Sequence, residues 1–446
     1  MFEFLTVIPF FGGFLSVALP FIIVLAAVIF VHEYGHYIVG RWCGIHADIF
    51  SLGFGPVMKS WTDKRGTRWQ ISAIPFGGYV KFVGDRDASS GANSKSLDHL
   101  SQADRDRSFP GASLGRRALT VFAGPAANFV MSIAVFAVLV LTTGVARNEP
   151  VLSEVLDAGP GVYELSAGDE IIAINGQQVA SFQEIYEYAL DNEPDGDTVY
   201  SVVRDGSERD VVGPFPFPPL ISGVEPISPA SKAGLKQGDV ILAVGEKQVR
   251  SFSQLRETII ASPEEAVDLT IWRDGGQMTL SITPELRDRE TADGGFEKRV
   301  IIGVYGGLAF EPESYTPAPW TAIWFGAERT WTVITASING IYHMLVGDIS
   351  ATNLQGPLGI AQVSGHTAAG GFIDLVNLIA VISTAIGLMN LFPIPVLDGG
   401  HLVIFGYEAV RGRPPSDKFI RYAMSVGMSL LLMLMVFATY NDIIRL

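Results

Sequence analysis

Residues Phe21–Gly40 read FIIVLAAVIFVHEYGHYIVG, an apolar run with HEYGH set into it at positions 32–36. An ionisable side chain near the centre of a bilayer helix costs about 2.5–3.5 kcal/mol on insertion scales, so residues of this kind serve a function or have a partner. On a helix, side chains four apart share a face with Cβ atoms about 5–6 Å apart, which lets His32 and His36 reach one ion. Glu33 is one residue round and is placed to touch a water beside that ion. This is the H-E-x-x-H arrangement of zinc hydrolases, with the glutamate as general base. A pair of buried histidines bonded to helix carbonyls is the plainer alternative, but metal binding accounts for all three residues together.

A catalytic zinc takes three protein ligands and keeps one position open. A third ligand at similar depth is offered by MNLFPIPVLDGGH (Met389–His401), which carries Asp398. Pro393 and Pro395 should break the helix that leads to it, and irregular backbone at membrane depth is tolerated where it lines a cavity or is buried in protein. His401 follows the same turn; three ligands and a water already complete a site, so a supporting role is expected for it.

The rest of the chain sets these motifs in a membrane. Of 446 residues, 48% are apolar. Uncharged windows run from Phe4 to Val31, Ala118 to Ala146, Leu375 to Leu397 and Tyr422 to Asn441, each long enough for the roughly 20 residues a spanning helix needs. The expectation is therefore a polytopic α-helical membrane protein with four transmembrane helices. The acidic start MFEF lacks a basic n-region, which predicts that the first helix is retained. Cys43 is the sole cysteine, so no intrachain disulfide forms and the redox compartment stays undecided. Between Arg41 and Arg117 there are 12 Lys/Arg against 7 Asp/Glu, and Arg411, Arg413, Lys418 and Arg421 flank the fourth window. The positive-inside rule reads these flanks as cytoplasmic. Residues 145–315 hold 30 acidic and 13 basic residues, which argues against nucleic-acid binding there. With four spans, Asp398 and His32 fall on the same side. Thr330–Gly347 is apolar enough to suggest a fifth span, but that would put Asp398 across the bilayer. Its tryptophans suit an interfacial or re-entrant helix instead.

The central segment repeats itself. AGDEIIAINGQQVASFQEI from Ala167 and QGDVILAVGEKQVRSFSQL from Gln237 align Gly168-Asp169 with Gly238-Asp239 and Ser181-Phe182 with Ser251-Phe252. Arg204-Asp205-Gly206 matches Arg273-Asp274-Gly275 one residue out of step. Turn, short strand, turn and Ser-capped helix make a mixed, mostly β module. The repeat, SPASKAGLKQGDVI above all, resembles bacterial PDZ domains, which bind peptides by adding a strand to a sheet edge. A role limited to blocking access or spacing the membrane parts stays open.

HEYGH in the first span, tandem PDZ-like modules and N-x-x-P-x-P-x-L-D-G (Asn390–Gly399) together resemble the site-2 protease family of intramembrane zinc metalloproteases. The resemblance implies that His32, His36 and Asp398 bind Zn2+ and that Glu33 activates water. Asn390 is the family motif's asparagine; it either bonds the substrate backbone or the oxyanion, or bridges within the helix bundle. Asn128, in FAGPAANF on the second span, serves interhelical hydrogen bonding or touches substrate. Between the first two spans, WQISAIPFGGYVKFVG (Trp69–Gly84) alternates like β-strands, with Gly77 and Gly78 allowing close backbone approach. An edge there, at Gly77, Gly78 and Tyr79, would pair with an unwound substrate, unless the hairpin only packs the bundle. The family has a membrane-associated β loop at this place, roughly residues 45–84 here.

The expected organisation is then 1–44 (first transmembrane helix with the zinc motif), 45–115 (cytoplasmic-side loop with membrane-associated strands) and 116–146 (second helix). Two PDZ-like domains of mixed α/β structure follow at 147–218 and 219–307. Residues 308–370 form a linker with interfacial or re-entrant helices, 371–402 the third helix, and 403–446 a loop and the fourth helix. By resemblance, the chain is a zinc endopeptidase of the bacterial inner membrane. It would cut pre-trimmed single-pass proteins, anti-sigma factors or signal-peptide remnants, in envelope stress signalling. The PDZ-like pair would be periplasmic and the active site near the cytoplasmic side. A metal transporter has no use for Glu33, and a silent peptide-capturing adaptor has no use for an intact zinc motif.

Overall fold

The computed structural model describes residues 12–84, 102–291 and 295–445. The MFEF terminus, the start of the first apolar window and the stretch 85–101 of the expected cytoplasmic loop lie outside the described residues. The chain forms two compact units: one gathers residues up to Leu139 with Ala318–Tyr342 and the chain from Ala351 onward, the other Val140–Pro317 with His343–Ser350.

Among the described residues four helices are long and apolar enough to cross a membrane: Gly13–Trp42, Leu114–Thr143, Phe372–Asn390 and Asp417–Ile444. The third has 19 residues, about 28 Å at 1.5 Å per residue, which roughly matches the hydrocarbon core. It ends at Asn390, earlier than the expected boundary at 402. Pro393 and Pro395 cannot donate backbone hydrogen bonds, so the chain turns through residues 391–397 and a separate helix begins at Asp398, running to Arg411. Gly399 and Gly400 seat that new helix against the turn. A Cβ on either would lie 2.2 Å from a carbonyl oxygen, of Leu391 and Ile394 respectively.

The apolar stretch read at Thr330–Gly347 belongs to a longer helix, Pro319–Val346, which leaves Trp320, Trp324, Trp331 and Tyr342 exposed. It is not among the four candidate spans. A 14-residue helix, Pro357–Gly370, packs on the first span, where a Cβ on Gly365 would come within 2.9 Å of Val17 Cα. At about 21 Å it is too short to cross.

Between the first two spans, strands Ala47–Thr62 and Arg68–Phe82 curl back on themselves. Phe50 partners both Val80 and Trp69, and Ser51 both Tyr79 and Gln70, so residues 49–52 have a neighbour on each side. The Asp63 turn is tied to the first helix: its carboxylate accepts from Trp69 Nε1 (3.1 Å) and Tyr37 Oη (3.2 Å). Phe50 stacks on Trp69 with ring centroids 4.3 Å apart. Elsewhere on these strands Phe54, Met58, Trp61, Ile74 and Phe76 stay exposed, apolar surface of the kind that meets lipid or a partner.

In the second unit, the sequence repeat is also a structural one. Strands Glu170–Ile174, Gln177–Gln178, Thr198–Arg204 and Ser207–Gly213 form one four-stranded sheet. Val240–Val244, Lys247–Gln248, Val267–Arg273 and Gly276–Ile282 form another with the same strand order. Ser181 and Ser251 cap the matching helices Phe182–Asp191 and Phe252–Ile260. The repeated Gly-Asp and Arg-Asp-Gly motifs meet in space. Asp169 accepts both Nε (2.6 Å) and Nη2 (2.7 Å) of Arg204, and Asp239 accepts Nε and Nη2 of Arg273, both at 2.6 Å.

The domain boundaries differ from those expected. Strand Phe310–Pro312 pairs with Leu152–Val155, and Ala309 and Phe310 sit in the first module's core with Leu152, Leu165 and Ile171. The second module closes with its own pair, Ile221–Val224 with Val304–Gly306. It is thus inserted within the first, which resumes at about residue 308. Strands of three and four residues carry no readable periodicity.

Burial disfavours a charged Asp169, but the Arg204 guanidinium and the Ser166 amide outweigh it, so the carboxyl titrates below its ordinary range. A depressed folded-state value stabilises above the unfolded-state value and is lost as pH falls through the folded one. Asp169→Asn should therefore lower the melting temperature of this unit at pH 7 and flatten its acid limb below about pH 4, read by thermal unfolding of the full chain in detergent; an unchanged profile would remove the pair from the stability account.

Candidate metal centre

The centre is assembled from helices that approach unusually closely. A Cβ on Gly35 would lie 2.4 Å from the Ala123 carbonyl oxygen, and one on Gly40 2.6 Å from the Phe82 ring. Small residues at such contacts let membrane helices pack backbone to backbone. The approach brings His32 and His36 against Gly124, whose missing side chain leaves room for both rings: a Cβ there would sit 2.2 Å from His36 Nε2 and 2.9 Å from His32 Cε1. Thr120 supplies the next constraint. His36 Nδ1 lies 2.9 Å from its carbonyl oxygen, which can only accept, so Nδ1 carries the proton and Nε2 of the neutral ring presents a lone pair.

Asp398 enters as the first residue of its helix. Its Oδ2 lies 3.2 Å from His32 Nε2 and 3.4 Å from His36 Nε2, while the two nitrogens are 3.2 Å apart. The helix that carries Asp398 is fixed to the second span by a short Arg117–Glu408 ion pair (2.6 Å), with Arg117 stacked over Phe405. Asp398 Oδ2 is buried without a hydrogen-bond donor. Three lone-pair atoms facing one another without a shared proton repel unless a cation lies among them. Their spacing fits one: a tetrahedral ion with bonds of about 2.0–2.1 Å holds its ligands about 3.3 Å apart. Two imidazoles and a carboxylate are also a donor set that zinc favours.

Around these three atoms lies a cleft of about 190 Å³, bordered by Glu33, Gly78, Tyr79, Val80, Asn390 and His401 among others. Glu33 lies along the strand side of it. A Cβ on Gly78 would fall 3.0 Å from Glu33 Cγ. Asn390 Nδ2 donates to the Ile386 carbonyl of its own helix (3.1 Å). Tyr79 accepts from Gln70 Nε2 (3.1 Å) through its hydroxyl and stacks on Phe54. Gly77 has φ +120°, with the Phe54 ring 2.3 Å from where a Cβ would be, so only glycine fits. Asn128 is apart from the cleft: it is fully buried, with Nδ2 3.4 Å from His32 Nδ1.

Sequence reasoning passed over Gly124 and Thr120. The small residues of FAGPAAN were the available signal, since a glycine and alanines inside a spanning helix mark close approach. Gly124→Ala should displace both imidazoles. We expect the zinc content of purified protein to fall at least tenfold at unchanged helical circular dichroism; full metal content would show that the rings do not need this gap.

Comparison with known proteins agrees with the geometry. The model of peptidase family M50 matches residues 20–434. A protein of Agrobacterium fabrum, provisionally named as a zinc metalloprotease, is 37% identical over 435 residues, 97% of either chain. One of Rhizobium meliloti with the same kind of name is 35% identical, covering 95% of each. The regulator of sigma-E protease RseP of Escherichia coli is 31% identical over 456 aligned residues, 96% of this chain and 98% of that one. The chain belongs to peptidase family M50 and is a zinc metalloprotease.

Proposed function

We propose that the protein is an intramembrane endopeptidase in which His32, His36 and Asp398 hold the zinc, Glu33 is the general base and the edge strand at Gly78–Val80 receives the substrate. One observation carries this reading: a triad of ligand atoms, an acid beside it and a sheet edge border the same cleft. When bound, the ion supplies Lewis acidity that lowers the pKa of a water towards neutrality and polarises the scissile carbonyl.

The chain's own residues do the rest. Residues 78–81 pair with 49–52 along one edge, and the opposite edge is the one on which an extended peptide would add as a further strand. That pairing would compensate an unwound transmembrane segment for the helical hydrogen bonds it loses. Glu33 takes the proton from the attacking water and delivers it to the leaving nitrogen. Asn390 turns its amide from Ile386 to the oxyanion or the substrate backbone. Gly77, Gly78 and Tyr79 shape the edge, Gly78 by letting the strand lie directly on Glu33.

The relatives named as sigma-E regulators support a substrate class of single-pass membrane proteins already trimmed outside the membrane, such as anti-sigma factors or signal-peptide remnants. The same relatives support a bacterial inner-membrane location. The paired modules are read as PDZ domains, on their repeated sheets and on the sequence pattern. On this reading they lie on the periplasmic side and exclude untrimmed proteins.

Glu33→Gln should lower cleavage of a tagged single-span substrate by about 10²–10⁴-fold, the usual worth of a general base, while zinc content stays at wild type. Undiminished cleavage would remove Glu33 from the mechanism. Asp398→Ala should strip the zinc itself, read by metal analysis of detergent-purified protein; unchanged metal would mean that another residue is the third ligand.

A further inference from the structure

Metal binding through Nε2 requires a neutral imidazole with its proton on Nδ1 and an acceptor for that proton, because the partner of the second nitrogen fixes the tautomer. His36 has one in the Thr120 backbone carbonyl. For His32, the group within reach of Nδ1 is the Asn128 side-chain amide, at 3.4 Å. As the amide stands, its nitrogen faces Nδ1 and its oxygen is buried without a partner. Nitrogen and oxygen of a side-chain amide are exchanged by a half-turn of its terminal bond. That half-turn places the orphaned oxygen on Nδ1.

We propose that Asn128 is a positioning residue whose side-chain oxygen accepts the Nδ1 proton of His32 and so keeps Nε2 free for the ion. This rests on the ligand set His32, His36 and Asp398. The surroundings of Asn128 suit the task and exclude direct contact with substrate. The residue has no exposed surface. Its backbone carbonyl accepts the hydroxyls of Ser132 (2.9 Å) and Ser383 (3.0 Å), and a Cβ on Gly387 would lie 3.1 Å from Asn128 Cβ. The third span therefore clamps the residue that orients a ligand on the first. The two imidazoles are held differently: one by a backbone carbonyl, which substitution leaves in place, the other by a side chain, which substitution removes.

The test is zinc affinity, measured by competition with a chromophoric chelator on full-length protein purified in detergent, with the visible spectrum of the cobalt-substituted form as a second readout. Asn128→Leu, which fills the space but has no acceptor, should weaken zinc binding ten- to a hundredfold and change the cobalt spectrum. Asn128→Ala should do the same and serves if the leucine variant does not fold. Asn128→Asp, which keeps an acceptor, should stay within about threefold of wild type, a rescue that mere packing would not give. Wild-type affinity in the variants without an acceptor, or a loss in Asn128→Asp as large as theirs, overturns the inference. Asp398→Ala and His32→Ala, run alongside, separate the two claims: if they too bind as wild type, the ligand set fails and the inference falls with it. If only they lose zinc, the ligand set stands and Asn128 has no part in it.

Discussion

Three electron-rich atoms, His32 Nε2, His36 Nε2 and Asp398 Oδ2, meet within hydrogen-bonding distance while no donor satisfies the carboxylate oxygen. Such a cluster is repulsive unless a proton or a metal ion lies within it. Among apolar helices it is only weakly screened, so the arrangement makes physical sense around a cation. Much of the helix packing can be traced to this requirement. The first two spans meet through glycine and alanine because two imidazoles must fit between them, and Thr120 and Asn128 occupy the positions from which each ring's far nitrogen is reached.

The carboxylate arrives by a different device. A continuous third span would carry residue 398 along its own axis; instead the proline turn stops the helix at Asn390 and a new one starts with Asp398. Two glycines let that start sit on the turn's carbonyls, and the Arg117–Glu408 pair holds the helix to the second span. The D-G-G sequence is thus one carboxylate followed by two residues whose lack of side chain sets the carboxylate's position. The same break leaves Asn390 at a helix end beside the cleft, with its amide bonded within its own helix by a contact that can be exchanged.

The parts of this site legible in the sequence were those with a short, rigid spacing: two histidines a helical turn apart, an acid next to the first, and a carboxylate after paired prolines. The repeat was legible for a similar reason. Asp169 and Arg204, and their counterparts Asp239 and Arg273, recur because each pair joins a turn to a strand end in its module. What escaped depends on contacts distant in the chain. Strand Phe310–Pro312 closes a module begun some 150 residues earlier, and three residues bear no pattern that could say so. The doubled pairing of Phe50 required a curl of the sheet that alternation alone does not encode. Gly124 carried no signal of its own, and Asn128 read as an interhelical hydrogen bond or a substrate contact, until the histidine rings were placed against them.

The central claim is that two imidazoles and one carboxylate hold the zinc, and X-ray absorption at the zinc edge of the purified full-length protein tests it most directly. The account predicts a first shell of nitrogen and oxygen alone at about 2.0–2.1 Å, with outer-shell scattering from two imidazoles. A sulfur contribution at about 2.3 Å, or scattering from a different number of imidazoles, would contradict it.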